Sequence, residues 1–282
     1  MTAYVSEDMV RRCLTPRPAD SNKGSFGHVL AVVGSYGMAG AAMLCTEAVL
    51  RGGAGLVTAA VPSAIYPMVT VAVPEAVCLP LGDDAAGQVI AALPGKSAIV
   101  MGCGMGISPE AAALMQAVLT HATVPVVLDA DGLNWLATHT LQRETVSAPL
   151  CLTPHPGEMA RLMGLTVEQV QQHREQVAAD CAKHYNAIVV LKGHHTVIAT
   201  PQGELLVNPT GCSGMAVGGS GDVLAGLIAS LIAQGLSVPD AAMCGVYVHG
   251  AAGEAAAAKL SQHAMLPRDL LAELGTLFLR FE

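Results

Sequence analysis

A glycine-rich loop followed by an aspartate is the segment of this sequence best suited to chemistry. It reads GMAVGGSGDVLAG over residues 214–226, and a helical pattern begins near Asp222. Glycine lets backbone amides converge on one point, and a helix N-terminus adds about half a positive charge there. Such a loop binds anions, phosphate in particular. We therefore predict an anion hole formed by Gly218, Gly219, Ser220 and Gly221.

Asp222 falls in the first turn of that predicted helix, where its carboxylate faces the anion hole. A carboxylate does not help to bind an anion, but it can take a proton from a hydroxyl group that attacks a phosphoryl group. The alternative is an ordinary acidic residue at a helix N-terminus, which is common. The run of glycines directly before Asp222 favours the catalytic role.

Two further glycine clusters follow predicted strands nearer the N-terminus. Residues 34–40 have the spacing GxxGxxG and residues 102–106 have GxGxG. Neither is the GxGxxG fingerprint of dinucleotide-binding folds, and no Walker A loop is present. These glycines mark either a close approach of the backbone to a ligand or tight turns.

Three charged residues lie at the ends of other predicted strands. Lys192 precedes Gly193 after a buried strand, and it is either a point charge for phosphate or a surface lysine. Asp129 and Asp131, in VLDADGLNWLA, either order water or magnesium near phosphates or cap the helix that follows. We favour the capping interpretation for these two aspartates.

The elements that must position these residues alternate between strand and helix. Predicted strands cover residues 28–33, 56–61, 98–101, 124–128 and 187–191, and a hairpin covers 196–199 and 205–207. Predicted helices cover residues 41–51, a segment that begins near Ser108, 166–185, 222–234, 240–260 and 267–280. Continuous apolar strands between helices indicate an α/β fold with a mostly parallel sheet and helices on both faces. We expect a single domain over residues 1–282, with residues 1–25 as a lead-in segment.

The predicted helix over residues 166–185 has its own start signal and one apolar side. Thr166 and Gln169 have the spacing of a capping box. The residues predicted on the apolar side are Val167, Val170, Val177, Cys181 and Tyr185.

Composition narrows the class of protein. The net charge is −8 and no basic stripe is present, which argues against nucleic acid as a partner. Glycines and prolines interrupt the longest uncharged run, between Arg51 and Glu75, so we expect no membrane span. The start lacks the apolar core of a signal peptide, and the eight cysteines form no CxxC pair. We therefore expect a cytoplasmic protein with reduced cysteines in its core, and spare apolar surface favours an oligomer.

Four blocks of the sequence carry a family resemblance. They are NKGSFGHVLAVVGSYGMAGAA (residues 22–42), LTPHPGEMARLMG (152–164), VVLKGHHTVIA (189–199) and NPTGCSGMAVGGSGDVLAG (208–226). In this order they resemble the ADP-dependent NAD(P)H-hydrate dehydratases, and the likeness runs from about Lys23 to the C-terminus. The resemblance implies the ribokinase-like fold, in which helices cover a mostly parallel sheet in three layers.

The resemblance also implies a reaction. ADP phosphorylates the ring hydroxyl of the S-epimer of hydrated NADH or NADPH, and loss of that phosphate restores NAD(P)H and leaves AMP. Asp222 matches the catalytic aspartate that deprotonates the hydroxyl, while the anion hole stabilises the transferring phosphoryl group. Mg²⁺ is the expected metal, with ligands that the sequence does not identify.

The resemblance assigns two sets of binding residues. Those that hold the adenine nucleotide are Lys192, Gly193, His194, His195, Thr196 and Gly221, the two histidines through their backbone. Those that contact the hydrated dinucleotide are Gly40, Ala41, Gly102, Gly104, His155 and Asp222. Cys212 and Ser213 stand where many relatives have Asn and Pro, which affects local loop geometry only.

Partners and alternatives complete the set of expectations. The chain resembles a stand-alone form of a domain that some relatives fuse behind an epimerase domain, so an NAD(P)H-hydrate epimerase is an expected functional partner. The resemblance also implies a homo-oligomer, a tetramer. One alternative is a kinase of the same fold for a vitamin precursor such as hydroxyethylthiazole, and another is a non-catalytic nucleotide-binding module. ATP in place of ADP is a closer variant.

Overall fold

The described part of the chain, residues 3–139 and 146–281 of a computed structural model, contains one ten-stranded sheet. The strands are β1 (Ala3–Tyr4), β2 (His28–Val32), β3 (Leu56–Pro62), β4 (Val77–Leu81), β5 (Ala98–Met101), β6 (Val126–Leu128), β7 (Leu150–Leu152), β8 (Ile188–Leu191), β9 (Val197–Ala199) and β10 (Leu205–Val207). Their order across the sheet is β1-β10-β9-β8-β7-β6-β5-β2-β3-β4. From β4 to β8 all neighbours are parallel, and β9 runs antiparallel to both β8 and β10. The mostly parallel sheet and the hairpin predicted from the sequence are confirmed.

Helices connect these strands and cover both faces of the sheet. They are α1 (Glu7–Cys13), α2 (Ala39–Arg51), α3 (Tyr66–Ala72), α4 (Ala85–Ala92), α5 (Pro109–His121), α6 (Asp131–Thr138), α7 (Pro156–Met163), α8 (Val167–Gln172), α9 (Arg174–Tyr185), α10 (Ser220–Ala233), α11 (Val238–Leu260) and α12 (Pro267–Phe278). Short 3₁₀ turns lie at Lys23–Phe26 and Ser213–Met215.

Two hydrophobic cores lie on opposite faces of the sheet. Successive side chains of a strand point to opposite faces, so along β2 Val29 and Ala31 belong to one core whereas Leu30 and Val32 belong to the other. The first core is completed by α2, α10, α11 and α12, and the second by α5, α6, α7 and α9. These three layers explain the continuous apolar strands of the sequence.

Small residues bring α2 and α10 into close contact. A β-carbon on Gly226 of α10 would lie 2.3 Å from the carbonyl oxygen of Cys45 and 2.8 Å from the Cβ of Ala48, both on α2. Only glycine fits at this crossing. The contact fixes α10, whose N-terminus follows the glycine-rich loop, against the helix that begins after β2.

The structure differs from the predicted elements at several places. Two elements lie in the predicted lead-in segment: β1 pairs with β10 at the edge of the sheet, and α1 packs on α11. The helix predicted over residues 166–185 is two helices that meet at His173, although the capping box of Thr166 and Gln169 is present. Val167 is 49% exposed and does not belong to the apolar side, because the short α8 buries only Val170.

The eight cysteines are free thiols, as the sequence predicts. Five of them are buried and the other three are half-buried. Among the described residues, no helix is both long and apolar enough to cross a membrane.

The carboxyl ends of five neighbouring parallel strands meet at one edge of the sheet. The residues that follow these ends include Gly34 after β2, Gly102 after β5, Asp129 after β6, His155 after β7 and Lys192 after β8. Ligands bind at this edge in open α/β sheets. The topology therefore assembles residues from five separate stretches of sequence into one candidate site.

Candidate active site

A buried ion cluster forms the centre of the site. The Nζ of Lys192 lies 2.5 Å from Asp129 Oδ1 and 3.7 Å from Glu158 Oε2. Asp129 and Glu158 are buried, and only 18% of the Lys192 side chain is exposed. The two carboxylates raise the pKa of Lys192 against the effect of burial, so the amine stays charged. The two carboxylates therefore hold the Lys192 ammonium group in place. The exposed part of its side chain remains available to a ligand.

Asp222 lies beside this cluster with an unusually high pKa. Carboxylate oxygens of Asp222 and Asp129 and the Sγ of Cys103 all lie within 4.8 Å of one another. Burial, and then the charge of Asp129, raise the pKa of Asp222 to about 7, although a hydrogen bond from Cys103 lowers it. A hydrogen bond with the Cys45 thiol, and then burial, hold the pKa of Cys103 well above its ordinary value, so Cys103 keeps its proton. A carboxylate with this pKa can accept and release a proton near neutral pH.

The glycine-rich loop places backbone amides around this aspartate. The helix begins two residues earlier than predicted, so Ser220, Gly221 and Asp222 occupy the first three positions of α10, with Gly219 as N-cap. Gly219 has φ +99° and a β-carbon there would lie 2.6 Å from Leu44, so glycine is required. The amide of Ser220 bonds the carbonyl oxygen of Val217 at 3.3 Å, whereas those of Gly221 and Asp222 have no partner within the helix, which leaves them to a ligand.

Gly221 is the point at which the loop meets the ion cluster. A β-carbon at this position would lie 3.2 Å from Asp129 Oδ2 and 3.3 Å from the Nζ of Lys192. Gly218 has open space around it, so no contact explains glycine there. The four residues of the predicted anion hole are thus adjacent, but only Ser220 and Gly221 line the cavity described next.

A cavity of about 860 Å³ opens beside Lys192 and the start of α10. It is lined by every residue predicted to bind the adenine nucleotide, namely Lys192, Gly193, His194, His195, Thr196 and Gly221. Its opposite wall is the segment 208–213, held to α11 by hydrogen bonds from Thr210 Oγ1 to the carbonyl oxygen of Tyr247 and from the amide of Gly211 to Glu254. Cys212 and Ser213 lie in this wall, where the Ser213 hydroxyl bonds the Gln262 side chain.

Hydrogen bonds hold the turn between β8 and β9, which carries the residues predicted to present backbone in this cavity. Arg174 donates hydrogen bonds to the carbonyl oxygens of Leu191 and Lys192, at 2.9 Å and 3.3 Å. Thr196 Oγ1 donates to the carbonyl oxygen of Gly193. Both histidines lie in this turn with stacked rings.

His155 caps a helix at the rim of the same cavity. Its Nδ1 accepts hydrogen bonds from the amides of Gly157 (2.9 Å) and Glu158 (3.3 Å), so the neutral ring carries its proton on Nε2. That Nε2 lies 3.3 Å from Glu158 Oε1. Burial, followed by the charges of Lys192 and Arg161, lowers the pKa of His155. The imidazole is therefore neutral, half-exposed and fixed in orientation beside the ion cluster.

The other residues predicted to contact the dinucleotide lie outside the lining of this cavity. Gly104 packs on Ala41, since a β-carbon there would lie 2.8 Å from that of Ala41. Gly102 has φ +111° and leaves no room for a side chain, because its β-carbon would meet the carbonyl oxygen of Asp129 at 1.9 Å. Gly40 is exposed at the start of α2. None of these four glycine and alanine residues lines the 860 Å³ cavity, whereas His155 of the same predicted set does, so the predicted dinucleotide contacts are divided between this cavity and its surroundings.

The capping role favoured for Asp129 and Asp131 is wrong. The N-cap of α6 is Ala130, and no side chain caps this helix. Asp129 bonds Lys192 instead, while Asp131 Oδ2 accepts a hydrogen bond from the amide of Gly106 at 2.8 Å. Ala130 has φ +49° and ψ −115°, a strained conformation that turns the two aspartates to different partners.

The cluster is suited to a divalent cation. Asp129, Glu158 and Asp222 bring three carboxyl groups to one ammonium group, so bound phosphates would meet net negative charge. Asp129 uses Oδ1 for Lys192 and turns Oδ2 towards Gly221, at the anion hole. An oxygen donor there fits Mg²⁺, which prefers a few carboxylates together with phosphate and water, whereas the nearby Cys103 thiol does not.

Sequence reasoning missed three residues of the site. Glu158 lies in the TPHPGE block, and its long-range pair with Lys192 has no signal in the local sequence. Cys103 was read as a core residue. His249 of α11 has no local signal, yet its Nε2 bonds the carbonyl oxygen of Ser220 at 2.9 Å from a fully buried position. Burial lowers the pKa of His249 to about 4, so it is a neutral donor that holds the first turn of α10.

Known proteins resemble this chain over most of its length. The family model described as NAD(P)H-hydrate dehydratase matches residues 29–275. The ADP-dependent (S)-NAD(P)H-hydrate dehydratase of Neisseria meningitidis is 42% identical over 241 residues, which are 84% of this chain and 80% of that protein. The chain spans about half the length of the bifunctional NAD(P)H-hydrate repair enzymes that it also matches, for example 51% of the protein from Moorella thermoacetica at 45% identity over 93% of this chain.

Solved structures extend this likeness to three dimensions. The ADP/ATP-dependent NAD(P)H-hydrate dehydratase of Bacillus subtilis, co-crystallized with ATP/Mg²⁺, has a TM-score of 0.91 and 34% identity and covers 100% of this chain and 99% of its own. A ribokinase-like superfamily protein from Enterococcus faecalis has a TM-score of 0.89 at 27% identity, over 99% of this chain and 96% of its own. The ribokinase-like fold is thereby confirmed. The protein described here belongs to the NAD(P)H-hydrate dehydratase family.

Proposed function

We propose that this protein uses ADP to dehydrate the S-epimer of hydrated NADH and NADPH, and thereby regenerates NAD(P)H with release of AMP and phosphate. Family membership supports the proposal, and one observation carries it. A carboxylate whose pKa is about 7, that of Asp222, lies in the same helical turn as the amide of Gly221, which has no partner within the helix. This arrangement can deprotonate a hydroxyl group where a phosphoryl group is held.

The first step is proton transfer coupled to phosphoryl transfer. The Asp222 carboxylate takes the proton of the ring hydroxyl, and the hydroxyl oxygen forms a bond to the β-phosphorus of ADP while the bond from that phosphorus to AMP breaks. A general base works best when its pKa is near the operating pH, which fits the value of about 7. Burial of Asp222 beside Asp129 is what supplies that value.

Backbone amides and one lysine stabilise the charge that this step moves. The amides of the first turn of α10 point at the predicted phosphate position, with the positive end of the helix dipole behind them. Lys192 lies 3.3 Å from the position a Gly221 side chain would take, so it reaches the same phosphate. Asp129 would hold Mg²⁺, which neutralises phosphate charge when bound.

The second step is elimination. The bond between the ring carbon and the phosphate oxygen breaks, the neighbouring ring carbon loses a proton to solvent water, and the electron pair of that C–H bond forms the ring double bond of NAD(P)H. The phosphate leaves as an anion, and Asp222 can return to that phosphate the proton taken in the first step. The side chain thereby regains the carboxylate form for the next turnover.

In this proposal ADP occupies the 860 Å³ cavity, and the reaction takes place where that cavity meets the start of α10. Every residue matched to the family's adenine-nucleotide segment lines this cavity. ADP is the proposed donor because curated relatives are named ADP-dependent, and ATP is tested beside it because the B. subtilis relative is named ADP/ATP-dependent.

The proposal includes two partners. The bifunctional repair enzymes of which this chain spans about half support an NAD(P)H-hydrate epimerase as functional partner. A homo-oligomer, with a tetramer as the expected state, is consistent with exposed apolar residues such as Met68 and Val71 of α3. Sedimentation of the purified protein tests this assembly directly.

Replacement of Asp222 tests the function. In Asp222→Asn we expect turnover of hydrated NADH to fall by about 10²–10⁴-fold, the contribution of a general base, while binding of AMP is retained. Asp240 offers a matched control, since it occupies the same third position of α11 that Asp222 occupies in α10. Asp240→Asn should keep full turnover. Near-normal turnover in Asp222→Asn would exclude the proposed role and favour a nucleotide-binding module.

A further inference from the structure

A second cavity is lined in part by Asp131, the second of the two aspartates that follow β6. Its volume is about 390 Å³, within the range of about 300–1,000 Å³ that small-molecule sites occupy. The residues that shape it are Met105, Ile107, Met115, Asn134, Trp135 and Arg161. It shares no lining residue with the 860 Å³ cavity, so the two can be filled at the same time.

The two cavities flank the reacting centre. Asp131 lines the second cavity, and Asp129, two residues earlier, pairs with Lys192 in the wall of the first. Asp222 lies close to both aspartates, because the charge of each acts on its carboxyl group. The loop 102–106 connects the two regions: Cys103 bonds Asp222, and the amide of Gly106 bonds Asp131.

The chemistry of the second cavity fits a nucleoside with an attached phosphate. Methionine, isoleucine and tryptophan side chains supply an apolar surface for a base. Arg161 supplies the cation, and its Nε donates to Asn134 Oδ1 at 3.0 Å, which holds the guanidinium group at the rim.

We propose that this second cavity binds the adenosine half of the hydrated dinucleotide, with the base beside Trp135 and a phosphate on Arg161. The inference rests on the proposed function, because only a dinucleotide substrate has a second nucleotide to place. The donor occupies the 860 Å³ cavity and the hydrated ring must reach Asp222, which leaves the adenosine half to continue along the loop 102–106. The second cavity lies at the end of that path.

Fluorescence of Trp135 gives a direct test, because it is the single tryptophan of the chain. The donor cavity of the wild-type protein is first saturated with α,β-methylene-ADP, and ADP-ribose is then added as a probe that has the adenosine half without nicotinamide. We expect a saturable change in the fluorescence of Trp135. In Arg161→Gln the Kd for ADP-ribose should rise roughly tenfold, the loss of one charge-assisted contact, with the Kd for α,β-methylene-ADP unchanged. Arg51→Gln, on the exposed end of α2, is the matched control.

A second probe separates the possible phosphate contacts of Arg161. A larger loss in Arg161→Gln for 2′-phospho-ADP-ribose than for ADP-ribose would assign the guanidinium group to the 2′-phosphate, and an equal loss would assign it to the diphosphate. The proposal is overturned if the fluorescence of Trp135 does not respond, or if ADP-ribose only displaces α,β-methylene-ADP.

Binding is measured without turnover, so the two proposals can fail separately. A protein that lacks dehydratase activity but binds ADP-ribose at Trp135 would refute the proposed reaction and support this site. A protein that repairs hydrated NADH while Trp135 gives no response would refute the site alone.

Discussion

The thiol of Cys103 should tune the base of the reaction, and its removal has a defined effect. Cys103 is fully buried and donates a hydrogen bond to the ionised form of Asp222, which lowers the pKa of that carboxyl group. Cys103→Ala removes this donor and leaves burial and Asp129 to act alone. The apparent pKa for turnover should therefore rise.

The size of the rise follows from the strength of one hydrogen bond. A net value of about 1 kcal/mol corresponds to about 0.7 pKa unit, which moves the apparent pKa from about 7 to about 7.7. At pH 6.5 the ionised fraction of the base then falls from about 0.24 to about 0.06, so turnover should drop roughly fourfold. At pH 9 both proteins are almost fully ionised and should differ little.

The assay is the pH dependence of kcat for wild type, Cys103→Ala and Cys103→Ser. Serine keeps a donor in nearly the same volume, so its acid limb should stay near that of wild type. An unchanged acid limb in Cys103→Ala would refute the reasoning. Equal losses at pH 6.5 and pH 9 would assign Cys103 to packing alone.

Three further predictions concern stability and binding. Asp222→Asn should stabilise the protein above pH 7 by at most about 4 kcal/mol, because the folded-state pKa of about 7 lies above the ordinary 3.8. This gain should vanish below about pH 4, and melting temperatures measured across pH test it. Gly219→Ala should lower the free energy of unfolding by more than about 1 kcal/mol in urea titrations, since φ is +99° and the new methyl group meets Leu44, and an unchanged midpoint would contradict the geometry. His155→Ala should raise KM for the hydrated dinucleotide more than KM for ADP, and equal effects on both ligands would refute this role. His155→Asn keeps a capping acceptor, so it should have the same effect on KM without the stability loss of about 1 kcal/mol expected for alanine.

Much of the fold could be predicted from the sequence because its signals are local. Continuous apolar strands and the helix starts at Ser108 and Thr166 depend on neighbours in the chain, and the structure has them at these places. The break at His173 was invisible because no glycine or proline marks it. There the chain turns so that Arg174 can bond the end of β8, a tertiary contact that outweighs helix continuity.

The candidate site likewise combines residues that a local pattern reveals with residues that only the fold brings together. The glycine loop and Asp222 were found because their spacing alone implies an anion hole. An aspartate before a helix is typical of a cap, so the sequence alone favours that role for Asp129, and only the fold reveals Lys192, 63 positions later, at 2.5 Å. The role of Cys103 depends on α2 and α10 meeting behind the loop 102–106, which no local pattern encodes.

The central claim is that ADP drives repair of a hydrated nicotinamide ring at Asp222. The most direct measurement mixes the purified protein with the S-epimer of hydrated NADH, Mg²⁺ and ADP or ATP, and follows both reduced-nicotinamide absorbance and AMP. We expect recovery of NADH with ADP, one AMP for each NADH, and formation of both products to be slower by about 10²–10⁴-fold with Asp222→Asn. Recovery with ATP alone would correct the donor and keep the chemistry. No recovery with either nucleotide would contradict the account and favour a small-molecule kinase of the same fold.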